Sequence, residues 1–339
     1  MNKLITNYTL RSFFLLLIAA VFECKAATYT LPPGRVDLLG TSTETVAGYQ
    51  DTLSDIARQY DIGYDEIVAA NPGVAPWGPG SGTRIIIPDR HILPLAPREG
   101  IVVNIAEMRL YYFFKPYPTG AQRVITYPVS VGRMDWATPL GITKVVTKQE
   151  NPVWRPPESI RKEHAQNGDI LPEVVPAGPN NPLGAYALRL GVPGYLIHGT
   201  DKPYGIGMQV THGCMRLYPE DIQSLFQITP VNTTVHLVYQ PVKVGWAYDV
   251  LYLEVHPPLE FGPALKEDPL TTANRLISIT TNDHIPADLD WDAVNKAVKE
   301  ARGLPVVIWQ KKALSVDSSL NAPQKEEGAE APSSIDQHG

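Results

Sequence analysis

The chain has 339 residues, in which 29 Lys and Arg face 35 Asp and Glu, so the formal net charge is −6. This acidic balance gives no reason to expect a nucleic-acid partner. The length is sufficient for two or three domains.

The first 26 residues have the pattern of a cleavable export signal. Residues 1–11 carry the positive charges of Lys3 and Arg11, and the apolar run SFFLLLIAAVF follows at 12–22. Small residues then stand at Cys24 and Ala26. The run is shorter than the roughly 20 residues that a bilayer span needs, and no later segment is apolar enough. We therefore expect cleavage near Ala26 and a mature protein without a transmembrane span.

Export would leave Cys214 as the sole cysteine, with no partner for an internal disulfide. An unpaired thiol in an oxidising compartment indicates a reactive group. A small buried apolar side chain is the alternative at this position.

Residues 44–89 have the pattern of a small βααβ module. A T-x-x-D capping box at Thr52 and Asp55 opens a helix, a second short helix stops at Asn71, and TRIIIP closes the module as a strand. The segments GYQDTLSDIARQY, IVAANPGV and SGTRIIIP resemble a LysM module. That family binds glycans containing N-acetylglucosamine, such as peptidoglycan.

The rest of the chain changes character three times. After the linker PLAPREG, residues 99–239 are rich in β-branched and aromatic residues, with helical periodicity nearly absent until PEDIQSLFQI, where Pro219 suits a first helical position. Residues 241–310 predict a small α+β domain with one amphipathic helix from Trp291 to Ala301. From 313 to 339 the composition predicts disorder. The fold class is thus a mainly β domain between two smaller units.

A nucleophilic cysteine needs a neighbouring base, because the thiolate is the attacking species. His198 lies 16 residues before Cys214, so a strand, a loop and a return strand could place it alongside the thiol. The adjacent His212 is limited by its local backbone, and we expect His198 to be the base. The carbonyl of Gly199 could hold the imidazole in one tautomer, and the amides of 212–214 could face an oxyanion.

The stretch IHGTDKPYGIGMQVTHGCMRL resembles the signature of the L,D-transpeptidase (YkuD) family, and the likeness extends over 99–239. It implies a β-sandwich with a short helix, Cys214 as nucleophile, His198 as general base and Gly199 as the group that orients it. The loop that builds the oxyanion site in this family is matched by Thr211, His212 and Gly213. The position after Cys-x is matched by Arg216. By resemblance, Arg216 steadies this loop or meets a substrate carboxylate.

The order of export signal, LysM-like module, YkuD-like domain and small C-terminal domain resembles the periplasmic Gram-negative branch of the family. This implies acyl transfer from a tetrapeptide stem, with release of D-Ala, and no cofactor or metal. The partners implied are peptidoglycan stem peptides and glycan. The acceptor is either a second stem, giving a 3→3 cross-link, or a lipoprotein with a terminal lysine.

Three other interpretations use the same residues. His198, His212 and Cys214 could supply three zinc ligands, although no fourth ligand recurs at a suitable spacing. A cell-wall peptidase with a Cys-His pair would use water as its acceptor. A peptidoglycan-binding scaffold without activity would have no need of a base 16 residues from its thiol.

Overall fold

The computed structural model describes residues 27–133, 136–260, 262–265 and 267–311. The predicted export signal at 1–26 and the predicted tail at 313–339 lie outside these residues. Within the described residues the fold is mostly β with six helices, which confirms the predicted class.

The N-terminal part contains the predicted βααβ module, here residues 43–87. Thr52 and Asp55 form both hydrogen bonds of the predicted capping box, and the two module strands pair in antiparallel fashion around a small apolar core. The elements are β1 (Thr28–Leu31), β2 (Leu38–Gly40), β3 (Thr43–Val46), α1 (Leu53–Gln59), α2 (Tyr64–Ala70), β4 (Arg84–Ile87) and β5 (Arg90–Ile92).

The middle of the chain forms what we call the central sheet, with two helices. Its elements are β6 (Gly100–Asn104), β7 (Arg109–Phe113), β8 (Gln122–Pro128), β9 (Val131–Gly132), β10 (Gly141–Glu150), α3 (Glu158–Gln166), β11 (Tyr186–Leu190), β12 (Leu196–His198), β13 (Gln209–Thr211), β14 (Met215–Arg216), α4 (Pro219–Ile228) and β15 (Thr234–Val238). The nine-stranded order is β1-β8-β7-β6-β15-β10-β11-β12-β14, and β13 pairs separately with β9.

Strand β10 joins the two halves of the central sheet. Its first four residues pair with β15, its remaining residues pair with β11, and the register shifts between Val145 and Thr147. Such an irregularity bends a strand. Buried residues from both halves share one apolar core, with helix α4 packed into it through Ile222 and Leu225. Pro219 occupies the first turn of α4, as the sequence predicts.

The C-terminal unit, residues 242–310, is a three-stranded antiparallel sheet covered by two helices. Its elements are β16 (Val242–Ala247), β17 (Val250–Val255), α5 (Pro269–Thr280), α6 (Trp291–Glu300) and β18 (Val306–Gln310). The sequence pattern predicts one helix in this unit, α6, whereas the structure has a second helix, α5. The signal was present, because Asp268 caps α5 and Pro269 follows at the first helical position.

Helix α3 contradicts the expectation that helical periodicity is nearly absent before α4. Its nine residues bury only Ile160, so no apolar stripe at a spacing of three and four residues marks it in the sequence. Strand β1 was also not predicted, and it extends the central sheet by pairing with β8.

The βααβ module lies against the loop that leads into β13. The Tyr64 and Asp65 amides, in the first turn of α2, each donate a hydrogen bond of 3.0 Å, to the carbonyl groups of Ile206 and Gly207. Gly207 has a φ of +78°, and a Cβ there would lie 2.3 Å from the Gly63 Cα. Only glycine permits this approach of the two backbones.

Buried ion pairs lie where the module, the central sheet and the C-terminal unit meet. Arg109 of the central sheet pairs with Glu66 of α2 at 2.7 Å. The Lys243 ammonium contacts the Glu107 carboxylate and lies 2.8 Å from that of Glu254. Because a buried charge is costly without its partner, these pairs fix the positions of the three parts relative to one another.

Candidate active site

Two neighbouring parallel strands bring His198 and Cys214 together. Strand β12 ends at His198, and β14 begins directly after Cys214. In their register Ile197 lies opposite Met215 and His198 opposite Arg216. Side chains two residues apart point to the same face of a strand, so His198 and Cys214 are diagonal neighbours on one face.

The His198 imidazole is buried, with 4% of its surface exposed. Its Nδ1 lies 2.7 Å from the Gly199 carbonyl oxygen. Since a carbonyl only accepts, Nδ1 carries the proton and Nε2 keeps its lone pair. Burial, helped by the charge of Arg216, lowers the pKa of His198 to about 3, and the carbonyl groups of Gly199 and Leu183 oppose this shift only in part. The imidazole is therefore neutral at neutral pH and able to accept a proton.

Cys214 is partly exposed. Its thiol donates a weak hydrogen bond of 3.6 Å to the Gly194 carbonyl. Burial raises the pKa of Cys214, although the Leu196 N–H and the charges of Arg216 and Arg189 act in the opposite direction. The site therefore holds a neutral thiol beside a neutral imidazole, so a nucleophilic role of this thiol would require loss of its proton during attack.

The backbone turn 211–214 presents the thiol. Gly213 has a φ of +95°, and a Cβ there would lie 2.7 Å from the Tyr195 ring. The Thr211 hydroxyl accepts from the Gly213 N–H at 3.2 Å and donates to the Cys214 carbonyl at 2.6 Å. The Thr138 hydroxyl donates to the Gly213 carbonyl at 2.9 Å. Because the Gly213 N–H donates to the Thr211 hydroxyl, only the amides of His212 and Cys214 stay candidates among the three predicted oxyanion donors.

The His212 imidazole contacts helix α3, which the sequence did not predict. Its Nε2 lies 3.0 Å from a Glu163 carboxylate oxygen, and the other oxygen of Glu163 pairs with Arg133. The Trp136 and His212 rings pack in a T-shaped arrangement with centroids 5.2 Å apart. Burial lowers the pKa of His212 while the charge of Glu163 opposes this shift. These contacts fix the side chain that stands before Gly213.

Arg216 lies beside His198 and Cys214 and is partly buried. It is the register partner of His198, and its Nε has no hydrogen-bond partner among the described residues. Burial lowers the pKa of Arg216, and the negative charge of Asp201 opposes this shift. Its guanidinium thus acts on both His198 and Cys214 through space.

The zinc alternative is not supported by the geometry. Among the described residues, one group of His, Cys, Asp and Glu side chains brings its ligand atoms within 4.8 Å of one another, and it consists of His91, Glu107 and Glu254. The ammonium of Lys243 already contacts both of these carboxylates.

Comparison with known proteins identifies the family. A model described as YkuD, the L,D-transpeptidase catalytic domain, matches residues 98–238, and a LysM domain model matches residues 49–88. The chain is 40% identical to Probable L,D-transpeptidase YcfS of Escherichia coli K12, over 85% of this chain and 90% of that protein. It is 39% identical to Probable L,D-transpeptidase YbiS of the same strain, over 88% and 99% of the two chains.

A third relative gives the same picture. Probable L,D-transpeptidase ErfK/SrfK of Salmonella typhimurium LT2 is 40% identical, over 87% of this chain and 95% of that protein. In the described part of the chain, every helix is too short or too polar to cross a bilayer. Because these likenesses extend over nearly the whole of each relative, the chain belongs to the YkuD family of L,D-transpeptidases and carries a LysM domain.

Proposed function

We propose that this protein is a peptidoglycan L,D-transpeptidase that acts by ping-pong acyl transfer through Cys214. The observation that carries the proposal is the pairing of β12 with β14, which sets a buried, neutral His198 diagonally beside the thiol. The 2.7 Å contact between His198 Nδ1 and the Gly199 carbonyl supports a role for Gly199 in orienting the base.

In the first half-reaction, the Cys214 sulfur attacks the carbonyl carbon of the third stem residue, at the L-centre of diaminopimelate. His198 Nε2 takes the thiol proton as the new C–S bond forms. The amide C–N bond then breaks, and His198 returns the proton to the leaving D-Ala nitrogen. The product is a thioester on Cys214 and free D-Ala.

In the second half-reaction, an acceptor amine attacks the thioester carbonyl. His198 removes a proton from the amine, the C–S bond breaks, and the proton returns to the sulfur. A diaminopimelate amine from a second stem gives a 3→3 cross-link. The terminal lysine of a lipoprotein gives a covalent anchor, and water gives hydrolysis.

The remaining signature residues support these steps indirectly. The amides of His212 and Cys214 are the candidate donors to the oxyanion, and such donors are worth about 3–4 kcal/mol each in the transition state. Thr211 and Gly213 give the turn its shape through the hydrogen bonds described above. Arg216 stabilises negative charge on the sulfur.

We also propose that the LysM domain binds the glycan and that the protein works in the periplasm. Tyr49 and Trp77 are exposed, with 88% and 66% of their surfaces accessible, and the Trp77 ring stacks on Tyr64 with centroids 5.5 Å apart. Exposed aromatic groups on a small module are suited to a ligand surface. The predicted export signal and the peptidoglycan substrate both favour the periplasm.

The decisive experiment offers the protein a tetrapeptide muropeptide with and without a peptide ending in lysine, and identifies the products by mass. We expect loss of D-Ala together with a 3→3 dimer or a lysine conjugate. Release of D-Ala with neither adduct would identify a hydrolase instead. Cys214→Ala should abolish every product while keeping its unfolding midpoint, and residual transfer by that variant would refute the nucleophile assignment.

A further inference from the structure

Arg189 lies in line with Cys214 across the central sheet. It is the register partner of Leu196 in the pairing of β11 with β12, and the Leu196 N–H faces the Cys214 sulfur on the next strand. Direct partners across strands point to the same face. At roughly 4.8 Å for each strand spacing, the Arg189 and Cys214 Cα atoms are about 10 Å apart on that face.

This face is the accessible side of the sheet. The residues between these positions on the strands, Leu188, Ile197 and Met215, point the other way and are fully buried in the apolar core. Arg189 itself is exposed, while Leu196 and Cys214 are partly exposed. The row therefore forms an open strip that begins at the thiol and ends at a guanidinium.

The Arg189 guanidinium is available to an anion. Among the residues that the structure describes, Arg189 has no ion pair or side-chain hydrogen bond, yet its charge is close enough to act on the Cys214 sulfur. Arg216, the other cation that acts on this sulfur, is partly buried and interacts with Asp201. Arg189 is thus the cation better placed to receive a carboxylate from solvent.

We propose that Arg189 binds the terminal carboxylate of the donor stem, that of the departing D-Ala. This inference rests on the proposed function. The carboxylate lies one residue beyond the scissile carbonyl, about 3.5 Å along an extended chain, and the long arginine side chain covers most of the remaining distance. A guanidinium matches a carboxylate in a two-pronged contact.

The two half-reactions then depend differently on Arg189. The terminal carboxylate is present during acylation and leaves with D-Ala before the acceptor arrives. Loss of Arg189 should slow acylation by the stem much more than transfer from the preformed thioester, where its charge acts only on the departing sulfur. General damage to the fold would slow both steps.

The test compares two donors, a tetrapeptide stem with a free terminal carboxylate and the same stem with a terminal carboxamide. We expect the wild-type protein to prefer the free acid by about tenfold or more in kcat/KM for acylation. Arg189→Gln should bring this ratio close to one, and Arg189→Lys should restore part of it. Because Arg189 also acts on the thiol, the ratio is the right readout, since an effect on Cys214 reactivity cancels between donors.

Lys144→Gln is the matched control, because Lys144 is an exposed cation on the neighbouring strand β10, and its donor ratio should equal that of the wild type. A third donor, amidated at the side-chain carboxylate of diaminopimelate, locates the contact. If Arg189→Gln keeps the wild-type preference for the free terminal carboxylate over the terminal carboxamide, the inference is overturned. It is also overturned if Arg189→Gln loses only the preference for the free side-chain carboxylate of diaminopimelate, because Arg189 would then bind that group instead. Failure of the wild-type protein to be acylated by any donor would instead refute the proposed function.

Discussion

Replacing Asp221 with asparagine should make the protein more resistant to unfolding as the pH rises from 6 to 8. Asp221, in the first turn of α4, and Asp61, which follows α1, are both buried where the LysM domain meets the central sheet. Burial and the neighbouring charge of Asp61 raise the pKa of Asp221 well above its ordinary value of 3.8. Burial likewise raises the pKa of Asp61 to about 6. Protonated Asp221 therefore serves as the hydrogen-bond donor to Asp61.

The sign and size follow from proton uptake. Both groups are ionised in the unfolded chain above about pH 5, whereas the folded protein keeps the Asp221 proton. A folded pKa that is raised contributes stability that is fully present below pH 3.8 and is lost as pH rises. Each retained proton costs about 1.4 kcal/mol per pH unit, so Asp221 removes up to about 3 kcal/mol between pH 6 and 8. The asparagine amide donates the same hydrogen bond without titrating.

Urea unfolding followed by tryptophan fluorescence at pH 6, 7 and 8 gives the free energy of unfolding of each protein, as the product of the slope m and the urea midpoint. The gap between Asp221→Asn and the wild type should widen by up to about 3 kcal/mol over this range. Glu220→Gln is the control, because it removes the partly exposed pair with Arg58 at 3.2 Å across the same contact, worth at most about 1 kcal/mol. It also removes one of the smaller charges that raise the pKa of Asp221, while burial and Asp61, the larger causes, stay in place. If the Asp221→Asn and wild-type curves run parallel, the shared-proton pair does not exist.

Three further predictions concern the active site. Glu163→Gln removes the carboxylate that pairs with His212 and should lower kcat/KM about fivefold. The control is Glu158→Gln on the same helix, which removes a surface pair with a lysine and should match the wild type. Equal kinetics in the two variants would refute a positioning role for Glu163. Gly213→Ala puts a side chain on a residue in a left-handed conformation, with its Cβ 2.7 Å from the Tyr195 ring. It should lower the free energy of unfolding in urea by about 1–3 kcal/mol and remove most of the activity. An unfolding curve equal to that of the wild type would contradict this strain. Because the pKa of Cys214 is raised, iodoacetamide should alkylate it about tenfold faster for each pH unit between 7 and 9, and a plateau beginning below pH 7 would indicate a preformed thiolate.

Local signals in the sequence were enough where each feature depends on nearby residues. The capping box of Thr52 and Asp55 predicted the start of α1 because both of its hydrogen bonds lie within one turn. Pro219 predicted the start of α4 for a similar reason. Helix α3 escaped prediction because Ile160 is the one residue it buries, and a polar helix leaves no periodic trace.

The long two-part motif identified the family and predicts His198 and Cys214 as a catalytic pair, but it does not indicate the environment of these two side chains. Burial is the main cause that lowers the pKa of His198 to about 3, and groups as far along the chain as Leu183 and Arg216 also act on it. The same applies to Glu163, which reaches His212 from 49 residues away. Such contacts depend on how the chain packs, which residue spacing alone does not encode.

The sequence by itself determined the family and the chemistry that we propose, because the candidate nucleophile, base and glycine turn are residue types in a fixed local order. The tertiary structure decided which groups act on them. Strand register aligned Arg189 with Cys214 across a strand that separates them, and packing of the LysM domain buried Asp61 against Asp221. Electrostatic effects of this kind depend on distance and on exclusion of water, and both are properties of the folded chain.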